Sequence, residues 1–167
     1  MEQTPLIDFL LGIVGGLVSG AFSGYYAAWA KVGYEHRATT TNELRSRTIE
    51  AKAAFHNWIA RPAYTTHGTG DYDGVTNVGV KSDALSAYFR AHREWLDGKS
   101  RESMERILVS LGRHFHAHMT ACSFPNEIRE QRETARAAEE WLSGELPRLM
   151  ENVQALPWWR RRPRLGQ

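Results

Sequence analysis

The stretch "GIVGGLVSGAFSG" sets glycine at positions 12, 16, 20 and 24, one per helical turn, inside a run from residue 9 to residue 30 that carries no charge. In water such a helix is poorly favoured, because each glycine costs roughly 1 kcal/mol relative to alanine. In a bilayer the penalty weakens, since an unpaired backbone finds no water there. The run "FLLGIVGGLVSGAFSGYYAAWA" also matches the ~20 apolar residues needed to cross a hydrocarbon core. Gly12, Gly16, Gly20, Gly24 and Ala28 would form one small-residue stripe, widened by Ser19 and Ser23, and such a stripe lets a second backbone approach closely. The sequence therefore predicts an N-terminal transmembrane helix that self-associates, with a homo-oligomer as the natural product.

Three readings compete: a lipid-facing helix of biased composition, a buried core helix of a soluble protein, and a signal peptide, because "AWA" at residues 28–30 has the form of a cleavage site. The segment before the run opposes the last: "MEQTPLID" carries Glu2 and Asp8, where a signal peptide carries positive charge. Lys31, Arg37, Arg45 and Arg47 follow the run, and positive residues stay on the cytoplasmic side. The expected protein is single-pass in a bacterial inner membrane, with the N terminus outside and the C-terminal domain cytoplasmic. Tyr25, Tyr26 and Trp29 stand where an aromatic belt would meet the inner headgroups.

A chain of 167 residues accommodates one modest domain plus such an anchor. Its net charge of +2 creates no need for a nucleic-acid partner. Lysine is confined to positions 31, 52, 81 and 99, and the preference for arginine hints at a GC-rich genome. The single cysteine, Cys122, excludes an internal disulfide and suits a reducing compartment.

Beyond the anchor the pattern is helical. Three segments are expected: an anchor and juxtamembrane stretch over 1–38, a bundle over 39–156, and a tail over 157–167. "TTNE" at 40–43 reads as a capping box, Thr40 with Glu43. It would start a helix with an apolar face of Leu44, Thr48, Ala51, Phe55 and Trp58 or Ile59, stopped by Pro62. The Gly- and Thr-rich stretch 62–81 shows no helical period and reads as a long loop, and loops of that length are mobile or functional. Val75, Val78 and Val80 would allow a short extended piece there.

Ser82 or Asp83 then caps a helix bearing Leu85, Tyr88, Phe89, His92, Trp95 and Leu96, and Asp97-Gly98 stops it. A third helix from near Ser100 carries Met104, Ile107, Leu108, Leu111, Phe115, His118, Met119 and Cys122. The fourth shows Ile128, Ala135, Ala138, Trp141 and Leu142, with a kink or break around Ser143-Gly144 and Pro147. The whole is all-α: the transmembrane helix followed by a cytosolic antiparallel four-helix bundle. With that helix count, the chain that leaves the membrane in the first bundle helix returns to it after the fourth. The tail so delivered, "PWWRRRPRLGQ", offers Trp158 and Trp159 to the headgroups and Arg160, Arg161 and Arg162 to anionic lipid.

"RHFHAHM" is the constellation nearest to chemistry. His114 and His118 share a helix face, one turn apart, and Cys122 lies one turn further. Such a pair can hold zinc, with Asp71 and Asp73 from the long loop as the further candidates; His67 and Glu127 belong to the same end of the bundle. No H-E-x-x-H accompanies the pair. Histidines bordering an apolar face are more commonly satisfied by neighbouring polar groups, so no cofactor is required. "DYDG" also reads first as a turn. A nucleophile built from Cys122 and His118 is disfavoured, because an apolar face keeps a thiol protonated.

The leading expectation is a binding or assembly protein: a self-associating anchor in the lipid bilayer that presents a helical bundle to a further cytosolic or membrane protein. The alternatives are a pore- or lesion-forming effector of the lysis or defence type, and a membrane-tethered metal-dependent hydrolase using His114 and His118. The pore reading is weakened by the small polar stripe, only Ser19 and Ser23.

Overall fold

A computed structural model describes residues 5–60, 72–123 and 128–157, with side chains for all of these except residues 5–19, 21, 72, 73, 123 and 128. The chain is all-α, as its pattern predicts. The elements are α1 (Pro5–Ile59), α2 (Tyr72–His92), a 3-10 turn (Arg93–Trp95), α3 (Gly98–Ser123), α4 (Ile128–Ser143) and α5 (Glu145–Glu151). Among the described residues the extended pairing is a single antiparallel bridge, Leu96 with Ala155.

Helix α1 joins what the sequence divides. The expected anchor and the expected first bundle helix are one element, and no helix starts at Thr40. Thr40 is therefore not the N-cap that the capping-box pattern predicts. Glu43 pairs forward with Arg47 at 2.7 Å, an i,i+4 contact whose local signature resembles that of a cap. Thr40 and Thr41 are buried inside the helix, and Thr41 Oγ1 accepts the amide N–H of Ala155 at 2.9 Å. From Leu44 onward the buried face is the expected one: Leu44, Thr48, Ala51, Phe55, Trp58 and Ile59.

The second correction concerns residues 72–81, which are helical and open α2, so Ser82 and Asp83 lie inside a helix. Val75, Val78 and Val80 form no extended piece. Val78 is fully buried, Val75 packs on the core and Val80 is exposed, a helical alternation continued by Leu85 and Phe89. β-Branched and glycine-rich sequence is a weak helix former, and packing against α1 overrides that preference. Lys81 bonds Glu50 at 2.8 Å, and the Arg47 guanidinium lies 4.9 Å from the Tyr88 ring centre. Residue numbers rise on one helix as they fall on the other, so α1 and α2 are antiparallel.

Asp97 proves to be a start signal as well as a stop. Its carboxylate accepts the Ser100 amide at 2.7 Å, the geometry of an N-cap on α3, so α3 begins at Gly98. The expected break between the last helices falls at Gly144. Its amide still bonds Glu140 O at 2.9 Å, while a side chain there would sit 3.0 Å from that same oxygen. Pro147 lies within the first turn of α5, where a missing N–H costs little.

The core runs through the bundle as Leu44, Phe55, Leu85, Leu96, Met104, Ile107, Leu142 and Leu146, all at most 2% exposed. Burying each such side chain contributes about 1.5–3 kcal/mol. One end of the bundle gathers Arg37–Thr41 of α1, the turn after α2 and the segment 152–157. Arg37 bonds Gln154 at 2.8 Å, Leu156 N–H donates to Trp95 O, and Ser100 Oγ donates to Asn152 O at 2.8 Å. The chain therefore returns, at residue 157, to the end from which the N-terminal part of α1 extends. This matches the up-and-down order expected from helix count. The tail residues Trp158, Trp159, Arg160, Arg161 and Arg162 lie outside the described residues.

No helix among the described residues is long and apolar enough to cross a membrane. The predicted transmembrane helix is thus not supported by them. The side chains of residues 9–19, a large part of the apolar run, are not among those described.

Candidate functional site

Two regions bear on function: the N-terminal part of α1 and the histidine-bearing half of α3. In α1, Gly20 and residues 22–28 are exposed. Phe22, Tyr25 and Tyr26 are each more than 60% exposed, and Val32 and Tyr34 are exposed as well. At Gly20 and Gly24 an added Cβ would meet nothing within 4 Å, so the expected association stripe is open along these two positions. Gly12 and Gly16 fall on helix α1, in the part whose side-chain surroundings are not described. Ser23 turns its hydroxyl back to Gly20 O at 3.0 Å. That back-bond leaves a small, nearly apolar helix surface.

Of the three histidines of α3, His114 and His118 face inward toward α1 and α4, while His116 is exposed. His118 is 6% exposed. Its Nδ1 lies 3.3 Å from Thr134 Oγ1, and that hydroxyl donates to Gln131 O at 3.0 Å. The threonine is thereby an acceptor for Nδ1–H, which leaves Nε2 as the acceptor facing Cys122 Sγ at 3.6 Å. Trp58 closes the pocket edge-on, with ring centres 4.8 Å apart. Burial pushes the His118 pKa below 6.5. A neutral imidazole with a hydroxyl on one nitrogen and a thiol on the other is a satisfied core group. The same burial works against the thiolate–imidazolium pair that a cysteine nucleophile uses.

His114 instead stacks on Trp141, ring centres 5.3 Å apart. Its pKa is also lowered, by burial first and then by Arg113, against an opposing pull from Glu145. The two histidines proposed as a ligand pair thus engage different neighbours on α4. Among the described residues no group of three His, Cys, Asp or Glu side chains is arranged to hold a metal ion. Asp71, His67 and Glu127 lie outside those residues, and Asp73 is described only as part of the first turn of α2.

Two features escape a reading of helix faces. One is the aromatic-histidine contact at the tail-bearing end: His36 sits 4.4 Å from the Trp95 ring, and His92 stacks on Tyr88 at 4.0 Å while donating from Nδ1 to Tyr88 O at 2.9 Å. The other is an open groove of about 1070 Å³ between the outer side of α1 and α4–α5. Ile49, 55% exposed, was the available signal. It is a large aliphatic residue on the polar side of an otherwise regular amphipathic helix. Comparison with family models, curated proteins and solved structures gives no match to this chain.

Proposed function

We propose that the chain is an assembly module: a helical bundle held at a membrane and brought together in copies through the N-terminal part of α1. The observation that carries this reading is the exposed apolar and small-residue surface of α1 between Gly20 and Tyr34. Exposed apolar patches of this kind mark contact with protein or lipid. Three further features support it. Residues 9–30 are uncharged, and basic residues follow them while acidic ones precede them, which suits an N-out, cytoplasmic-bundle orientation. Residue 157 also stands at the same end of the bundle as the emerging α1, so Trp158, Trp159 and the three arginines after them start from the membrane side. The bundle would offer its outer faces to a further partner.

The test uses the full chain in two steps. Carbonate extraction of membranes should leave it in the pellet; release into the supernatant would overturn the anchor. Gly20→Leu together with Gly24→Leu should then lower the oligomer fraction in mild detergent. Both sites are open within the protomer, and leucine is the better helix former, so the fold is retained. An unchanged oligomer distribution would overturn association through this stripe.

A further inference from the structure

The groove between α1 and α4–α5 has walls of opposite charge. Arg45 and Lys52 line it from α1, Glu139 and Glu151 from α4 and α5, with Ile49, Leu142 and Met150 between them. Among the described residues none of these four charged side chains takes part in an ion pair. A basic rim and an acidic rim left unpaired on either side of an apolar floor describe a surface that complements itself. Rotating a second copy by a half-turn about an axis along α1 brings its basic rim to the acidic rim of the first. Such two-fold contacts use the same patch twice.

The register requires no adjustment. A rotation about an axis parallel to α1 preserves height along that axis, so residues 45–56 of one copy stand level with the groove of the other. The helical phase agrees as well. At 3.6 residues per turn, Gly20 and His56 are about ten whole turns apart, and Gly24, Ala27, Lys31, Tyr34, Ala38, Arg45, Ile49 and Lys52 follow the same stripe. Those from Gly24 to Ala38 are all exposed. The open glycine face and the groove are thus one continuous side of one helix.

We infer that the groove seats the outer side of α1 from a second copy of this chain, parallel and two-fold related, with Arg45 and Lys52 of each copy against Glu139 and Glu151 of the other. This rests on the self-association proposed above and extends its contact from the glycine segment into the bundle. Ile49 enters the partner's groove at its centre, where desolvation gives an apolar anchor most effect.

Charge exchange tests it in the full chain. Arg45→Glu with Lys52→Glu should weaken the dimer about tenfold or more, since like charges then face each other across the contact. Glu139→Lys with Glu151→Lys should do the same, and all four together should restore it. A second measurement needs no charge change: Ile49→Cys in a Cys122→Ser background should be joined to its copy by a short bis-maleimide. Oligomers that persist through both reversals, with no Ile49→Cys linkage, would overturn the groove contact and leave the glycine contact standing. A parent chain that is monomeric throughout would overturn both. Weakening by each reversal without restoration in the fourfold variant also overturns the pairing, and would direct attention to a different protein in the groove.

Discussion

Ser100 ties the start of α3 to the segment 152–154 through one hydroxyl. It is fully buried, donates to Asn152 O at 2.8 Å and accepts the Gln154 amide at 3.1 Å. Ser100→Ala removes both contacts and adds none. Leaving a buried donor or acceptor without a partner costs about 1–3 kcal/mol. Asn152 is half-buried and Gln154 exposed, so water relieves part of the loss, and an overall cost of about 2 kcal/mol follows. For a domain of this size each kcal/mol moves the melting temperature by roughly 2–4 °C, so thermal unfolding followed by circular dichroism should fall by roughly 4–8 °C. The loss should be concentrated in residues 152–157. Hydrogen exchange at the Gln154 and Ala155 amides should quicken by roughly thirtyfold, the equivalent of that energy. Thr41→Val, which removes the acceptor for Ala155 N–H, should act on the same segment, so the double variant should lose less than the sum of the two. A melting temperature within about 1 °C of the parent, together with unchanged exchange at Gln154, would show that the hydroxyl does not hold the segment.

Two further outcomes are expected. Burial lowers the pKa values of His118, His114 and His36 below 6.5, with His92 adding to the effect on His36, so the unfolded chain takes up protons near that pH that the folded chain refuses. Stability should be full above pH ~6.5 and fall as pH drops below it; urea midpoints between pH 7.5 and 5 should show the decline and His118→Gln should flatten it, whereas midpoints rising toward pH 5 would refute it. Trp58 is 3% exposed and packs on Phe55, Phe115 and His118, so Trp58→Ala should cost about 3–5 kcal/mol in urea unfolding. Trp58→Phe should cost clearly less, and equal losses would place the tryptophan's contribution outside its packing.

The buried faces of the helices were legible because apolar spacing is a local property. Leu44 through Ile59, Met104 through His118, and Ala138 through Leu142 can each be identified without knowledge of a neighbour. Boundaries were harder, because short polar motifs have more than one structural use. Thr40 and Glu43 look like a cap, yet Glu43 satisfies Arg47 within a continuing helix. Asp97-Gly98 looks like an end, yet the carboxylate begins the next helix. The first turns of α2 carry glycines and valines that a helix tolerates only when another surface holds them. That surface is α1, distant in sequence. The groove was invisible for a related reason. Its two walls come from residues around 49 and 147, and neither wall is unusual alone. Of the candidate metal set, the spacing of His114 and His118 sets them one turn apart on α3 and no more. It carried no information on the tryptophans and the threonine that occupy their rings.

Helix α1 has neither glycine nor proline between Tyr34 and Ile59, so it is a stiff shaft along the length that the bundle grips. Stiffness has a mechanical result. A tilt of about 10° about residue 36 swings Gly20 by roughly 4 Å at 1.5 Å of rise per residue. The same rotation carries Trp58 and the floor of the core in the opposite direction. Arg37 and Thr41 clamp the shaft at its pivot through Gln154 and Ala155, beside the point where the basic tail departs. Leaning of the exposed rod about this pivot is therefore carried directly into the bundle core, with the least displacement at the C-terminal clasp itself.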